Sequence, residues 1–110
     1  MISSGLGYKP VAKESINAGS TNITTAAWVE IVSSTSQPFS FLEVFNQTTK
    51  ILKLAVGAAG QEVELPVFIY PGIGAQLIPF NEQVKKGQRL SAKAVDANAT
   101  TGYLLFNMYG

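Results

Sequence analysis

The chain has 110 residues, of which 46% are hydrophobic and 14% charged, and its formal net charge is +1. It contains no Cys and no His, which excludes disulfide frameworks, cysteine nucleophiles, Cys/His metal sites and most hydrolase mechanisms, because these need an imidazole base. The near-neutral charge gives no field that would attract nucleic acid or an anionic bilayer, and no apolar run reaches the roughly 20 residues of a membrane span. Composition therefore predicts one non-enzymatic domain with no cofactor, no metal, no nucleic-acid partner and no membrane partner, made in a cytoplasm.

The first 27 residues differ in pattern from the rest of the chain. They are rich in Gly, Ser, Thr and Asn and show no sustained helical or strand periodicity. We predict an extended N-terminal arm over residues 1–27, with one short strand around Lys9 to Asn17. An arm of this composition cannot bury enough apolar surface alone, so it either docks on a neighbour or stays mobile. The candidate interface residues are Ile2, Leu6, Tyr8, Val11 and Ile16.

From residue 28 onward, seven short runs with alternating apolar residues are separated by turn residues. They span Trp28–Ser33, Phe39–Asn46, Ile51–Val56, Glu62–Tyr70, Ala75–Phe80, Arg89–Val95 and Gly102–Gly110. The polar stretch Asn81 to Gln88 predicts a loop, and its first residues are the best candidate for a helix, although that helix is too short to stand alone. Residues 28–110 are therefore predicted to form an all-β, two-sheet antiparallel sandwich. With the strand in the arm it has about eight strands. Its topology is jelly-roll-like, with an immunoglobulin-like sandwich as the alternative.

The alternation also predicts which side chains face the core. Phe39 and Phe41 are placed on one side of their strand, opposite Leu42. In the fourth of these runs Val63 is expected to point inward, and Pro66 predicts a sheet edge or a bulge. The last run is apolar on both faces, which indicates a central strand. Strands that are apolar on both faces predict either two sheets packed face to face or a sheet whose outer face is covered by another chain.

Glu62 and Glu64 are the only close pair of carboxylates, and at i, i+2 on a strand they share one face. A solvated strand face is the favoured interpretation, because catalytic carboxylate pairs usually come from different strands across a cleft. The short basic cluster at residues 85, 86 and 89 is interpreted as a solvated turn. Aromatic residues that could form a platform for a sugar ring are expected to serve the core or an interface instead. They are Tyr8, Trp28, Tyr70, Tyr103 and Tyr109.

Four segments carry a resemblance to a known family: "AWVEIVSSTS", "FLEVFNQTTKILKLAVGAAGQEVEL", "LIPFNEQVKKGQRLSAKAV" after a Pro-Gly turn, and the terminal "GYLLFNMYG". In this order they resemble small structural proteins of tailed phages. Within that group the chain is most similar to the jelly-roll decoration proteins, also called cement or staple proteins, which bind the outside of the icosahedral head. The resemblance covers about three quarters of the chain and consists of turn-and-strand patterns.

The resemblance implies a virion structural protein on the outer surface of the capsid, which binds the major capsid protein across subunit junctions and has no catalytic residues. A homodimer or higher homo-oligomer is expected, and removal of the first ~20 residues is expected to weaken particle binding while leaving the sandwich folded. The alternative is a carbohydrate- or receptor-binding β-sandwich module of a phage tail or head fibre, which would use exposed tyrosines.

Overall fold

The computed structural model describes residues 9–110, and this part of the chain contains eight β-strands and no helix. The strands are β1 (Pro10–Asn17), β2 (Val29–Val32), β3 (Phe39–Asn46), β4 (Leu52–Val56), β5 (Val63–Ile69), β6 (Ala75–Val84), β7 (Leu90–Ala94) and β8 (Tyr103–Tyr109). Each of them overlaps a run predicted from the sequence.

The strands form two antiparallel four-stranded sheets. Sheet 1 has the order β1-β8-β3-β6 and sheet 2 the order β2-β7-β4-β5. Successive strands alternate between the sheets, except that β4 and β5 pair as a hairpin within sheet 2. This arrangement of eight strands in two sheets is a jelly roll, so the predicted fold is confirmed and the immunoglobulin-like alternative is not adopted.

The core lies between the two sheets. Sheet 1 contributes the fully buried Phe39, Phe106 and Leu104, and sheet 2 contributes Leu52 and Ile69. Each large apolar side chain that is buried in this way stabilises the fold by about 1.5–3 kcal/mol. Strand β8, whose even-numbered residues enter this core, lies between β1 and β3, as predicted for a central strand.

The predicted strand near the N-terminus is β1, which forms one edge of sheet 1. It pairs with β8 from Pro10 opposite Tyr109 to Asn17 opposite Tyr103. Val11 and Ile16 are half-buried and pack against the core of their own chain. The loop that follows contributes the fully buried Ile23. Residues 9–27 are thus integrated into the sandwich, while Ile2, Leu6 and Tyr8 lie outside the described residues.

Two predictions are wrong for one physical reason, and a third side chain is more exposed than expected. Strand β6 continues to Val84, where a loop was expected, because its ladder with β3 resumes after a register shift. The same shift, between Phe39 and Phe41, turns Phe39 into the core. A bulge inserts extra residues into one strand and so breaks the two-residue period. Val63, in contrast, lies opposite Val56 on the side of sheet 2 that faces the core, but it begins the edge strand β5 and stays 68% exposed.

Buried polar groups fix the turn between β3 and β4. The side-chain amide of Asn46 donates to the carbonyls of Lys50 and Ile69, and its Oδ1 accepts from the backbone N–H and the hydroxyl of Thr48. Gly102 lies against this turn at φ 86°, and a Cβ there would overlap the Gln47 carbonyl, so only glycine fits without movement.

Candidate interaction surfaces

The outer face of sheet 2 carries most of the paired charges, and we call it the charged face. At one end Lys53 and Lys93 are direct cross-strand partners, and their Nζ atoms lie 5.9 and 5.0 Å from the centroid of the Trp28 ring. Lys53 Nζ also lies 3.4 Å from Glu64 Oε1. The indole ring and the carboxylate offset the repulsion expected between two adjacent lysines.

Arg89 organises the other end of the charged face. Its Nη1 donates to Glu62 Oε2 at 2.8 Å, and its Nε donates to Glu30 Oε1 at 3.1 Å. The Glu62 backbone N–H, the Arg89 guanidinium and the Gly60 N–H lower the pKa of Glu62, against the opposing effect of desolvation. Glu62 and Glu64 do share this face, but each carboxylate is paired with its own cation, and the Glu62 side chain is only 12% exposed.

Two small residues lie beneath these side chains. Ala55 and Ser91 are cross-strand partners on the outward side of β4 and β7, yet both are fully buried. The Ser91 hydroxyl has no hydrogen-bond partner in the described part of the chain. The charged side chains therefore close over the sheet and leave little of its backbone open to a partner.

Exposed apolar side chains are concentrated where β5 and β6, the edge strands of the two sheets, lie side by side with the turn that joins them. Six large hydrophobic side chains are exposed among the described residues, and five of them lie here. They are Val63 (68%), Phe68 (44%), Tyr70 (44%), Ile73 (59%) and Leu77 (58%), and we call the surface that they form the apolar edge. Such concentrations of exposed apolar side chains mark interaction sites in soluble proteins.

A groove runs along the apolar edge between the two sheets. It consists of two adjoining hollows of about 490 and 280 Å³, both of which contact Leu65 and Phe80. Pro66 and Pro79 line the smaller hollow, and the register of each edge strand shifts beside its proline. This confirms the prediction that Pro66 marks an edge and a bulge. Gln76 spans the two strands, because its side chain accepts from Tyr70 N and donates to Phe68 O at 2.9 Å.

The outer face of sheet 1 has polar side chains between two apolar rows, and we call it the striped face. One apolar row runs from Pro10 through Tyr109 and Phe41 to Pro79, and the other from Ser15 through Leu105 and Phe45 to Ala75. The polar row between them is formed by Lys13, Asn107 and Glu43, and it ends at Leu77 of the apolar edge. Residues directly opposite on neighbouring strands share a face, so the rows follow from the register.

Hydrogen bonds hold the polar row in place. Glu43 Oε1 accepts from Asn107 Nδ2 at 3.0 Å and from the Tyr109 hydroxyl at 3.3 Å. Desolvation raises the pKa of Tyr109, and the nearby Glu43 carboxylate raises it further. The rings of Tyr109 and Phe41 are tilted against each other with centroids 5.5 Å apart.

The structure separates the aromatic residues that the sequence offered as a platform. Trp28 lies on the charged face, Tyr70 on the apolar edge, and Tyr103 and Tyr109 on the striped face, while Tyr8 lies outside the described residues. Sequence patterns did not identify Leu77 and Val63 as surface residues, since Val63 was expected to point inward and no face was assigned to the strand that contains Leu77. The prolines next to them were the available signal.

Within residues 9–110 no group of three or more His, Cys, Asp or Glu side chains is placed to hold a metal ion. In the same range, no helix is long and apolar enough to cross a membrane. A comparison of the chain with known protein families, with curated proteins and with solved structures found no match.

Proposed function

We propose that this chain is a virion structural protein that decorates and stabilises the outer surface of a phage head by binding the major capsid protein across subunit junctions. The observation that supports this most is the apolar edge, where five large hydrophobic side chains are exposed within residues 63–77. The resemblance of residues 28–110 to jelly-roll decoration proteins supports the same function. In this proposal the protein acts without catalysis, as a homodimer or higher homo-oligomer.

The chemistry of the apolar edge favours contact through side chains. Pro66 and Pro79 have no backbone N–H and stand beside register shifts, which disfavours the addition of a partner strand at these positions. The groove instead offers a place for one projecting apolar side chain of the partner, with Val63 and Leu77 exposed around it. Interfaces between proteins are commonly anchored by a few apolar side chains in such pockets.

The test is co-sedimentation with heads assembled from the major capsid protein of the genome that encodes this chain. We expect saturable binding of the wild type and at least tenfold weaker binding of Leu77→Asp and of Val63→Asp. Ala97→Asp, in an exposed loop before β8, is the matched control and is expected to bind like the wild type. Absence of wild-type binding, or equal binding by all three variants, would contradict the proposal.

The contribution of Ile2, Leu6 and Tyr8 to binding is tested by a variant that lacks residues 1–8. Removal of about 20 residues would also delete β1, which pairs with β8 along its whole length and packs Ile16 against the core. The shorter truncation leaves sheet 1 intact and is expected to weaken binding to heads. Full binding by this variant would exclude these three residues from the interface.

A further inference from the structure

The striped face carries two adjoining hollows that are distinct from the groove of the apolar edge. The larger, of about 530 Å³, is lined by Phe45 and Leu105 on its apolar side. The smaller, of about 400 Å³, is lined by Pro10 and Tyr109. Both volumes lie in the range of small-ligand sites. Lys13 and Asn107 line both hollows and thus form the boundary between them.

Three polar groups at this boundary have no protein partner among residues 9–110. Asn107 donates its Nδ2 hydrogen to Glu43 on β3, which leaves its Oδ1 available as an acceptor. Within the described residues, no protein hydrogen bond or ion pair engages Asn107 Oδ1, Lys13 Nζ or the hydroxyl of Ser15. The boundary therefore offers an acceptor, a charged donor and a hydroxyl that can serve as either.

We propose that the striped face binds a glycan through two neighbouring pyranose rings, one in each hollow, with the linkage between them at Lys13 and Asn107. A pyranose ring has an apolar C–H face and a rim of hydroxyl groups, each of which both donates and accepts. One ring packs its C–H face on Phe45 and Leu105, and the other packs on Tyr109. The ring hydroxyls at the boundary donate to Asn107 Oδ1 and accept from Lys13 Nζ.

A glycan fits this surface better than an extended peptide does. The polar row stands between two apolar rows at intervals of about 6.5 Å along the strands, which suits a ligand whose apolar faces and polar rims alternate. A peptide would add to the free edge of β1, where the register shift between Pro10 and Ala12 interrupts a regular ladder. This activity goes beyond the proposed function, because it uses β1, β8 and β3 and leaves the groove between β5 and β6 open.

The test is titration of the isotope-labelled protein with cellobiose, maltose, lactose and chitobiose and with their monosaccharides, followed by backbone and side-chain amide NMR. We expect at least one disaccharide to give saturable shifts at Ser15 and at the Asn107 side-chain amide, with a Kd at least tenfold lower than its monosaccharide. Lys13→Ala and Asn107→Ala are expected to weaken that binding at least tenfold. Lys85→Ala removes the same charge from an exposed turn and is the matched control.

Four outcomes would overturn the inference. They are the absence of saturable binding by any sugar of the panel, shifts confined to another surface, equal affinity for monosaccharide and disaccharide, and an equal loss of affinity in Lys85→Ala. Since Lys13 is exposed on an edge strand, its substitution leaves the fold intact. The capsid proposal is judged separately, because Lys13→Ala is expected to bind heads normally and Leu77→Asp to bind sugar normally.

Discussion

The charged face and the apolar edge belong to the same sandwich but differ in whether their outer side chains have partners within the chain. On the charged face Arg89 bridges Glu62 and Glu30, and Lys53 contacts both Glu64 and the Trp28 ring. On the apolar edge Val63 and Leu77 face solvent with more than half of their surface exposed. Substitutions on the charged face are therefore expected to change stability, and substitutions on the apolar edge to change binding.

The largest expected effect comes from Arg89→Met, which removes the shared partner of two carboxylates. The Arg89 side chain is 13% exposed and bridges Glu62 and Glu30, so its loss leaves both carboxylates without their cation, and we expect the free energy of unfolding to fall. Leu77→Asn, which adds no charge opposite Glu43, is expected to change it by less than about 0.5 kcal/mol. Urea denaturation at neutral pH measures both. Equal losses in the two variants would remove the distinction between the two surfaces.

A second test of the charged face uses the cross-strand pair beneath it. The Ser91 hydroxyl is buried without a partner, so Ser91→Ala is expected to raise the free energy of unfolding by about 1 kcal/mol. Ala55→Ser places a hydroxyl at the equally buried partner position and is expected to lower it by a similar amount. The same urea titrations measure this pair. Destabilisation by Ser91→Ala would show that the Ser91 hydroxyl has a hydrogen-bond partner.

Acid is expected to lower the stability that Glu62 contributes on the charged face. Folding lowers the pKa of Glu62 from 4.5, so the folded state favours the carboxylate, and the resulting stability is present above pH 4.5 and is lost as the pH falls through the folded-state pKa. Glu62→Gln removes this group, and its loss of stability between pH 6 and pH 3 is expected to be smaller than that of the wild type. Parallel curves for the two proteins would show that Glu62 is not responsible.

Alkali is expected to lower the stability that Tyr109 contributes on the striped face. Of the four expected changes in stability this one is the smallest. Folding raises the pKa of Tyr109 above 10.0 because the phenol is desolvated and lies beside Glu43. The neutral phenol is thus favoured in the folded state, and its contribution is present below pH 10 and is lost as the pH rises through the folded-state pKa. Tyr109→Phe is expected to lose less stability than the wild type between pH 9 and pH 11. An identical loss in both proteins would contradict this assignment.

The sequence predicted the sheets well because burial on one or both sides of a strand leaves a local pattern. Strand β3 was placed correctly from Phe39 to Asn46, and β8 was correctly interpreted as central. The end of β6 was missed because Asn81, Glu82 and Gln83 are exposed on an edge strand and carry no apolar signal. Alternation indicates a strand only where one side meets a core.

The candidate sites were harder to predict, since they depend on register between distant strands. Lys13, Asn107 and Glu43 form one row only because β8 lies between β1 and β3 with that particular pairing. Arg89 and Glu62 meet in the same way, across sheet 2. In β3 the shift opposite Pro79 turns Phe39 into the core, although unbroken alternation would place it on the same side as Phe41. No local pattern specifies the size of such a shift.

The pairing of β1 with β8 also determines when the fold can form during translation. Pro10 pairs with Tyr109, and β8 separates β1 from the rest of sheet 1, so β1 has no strand partner in its sheet until β8 has been synthesised. At about 5–20 residues per second, this delay lasts roughly 5–20 s. During that time an unpaired strand is exposed on the ribosome, and its Lys13 and Glu14 disfavour pairing with other nascent chains. We therefore expect the charges of β1 to limit aggregation before the chain folds.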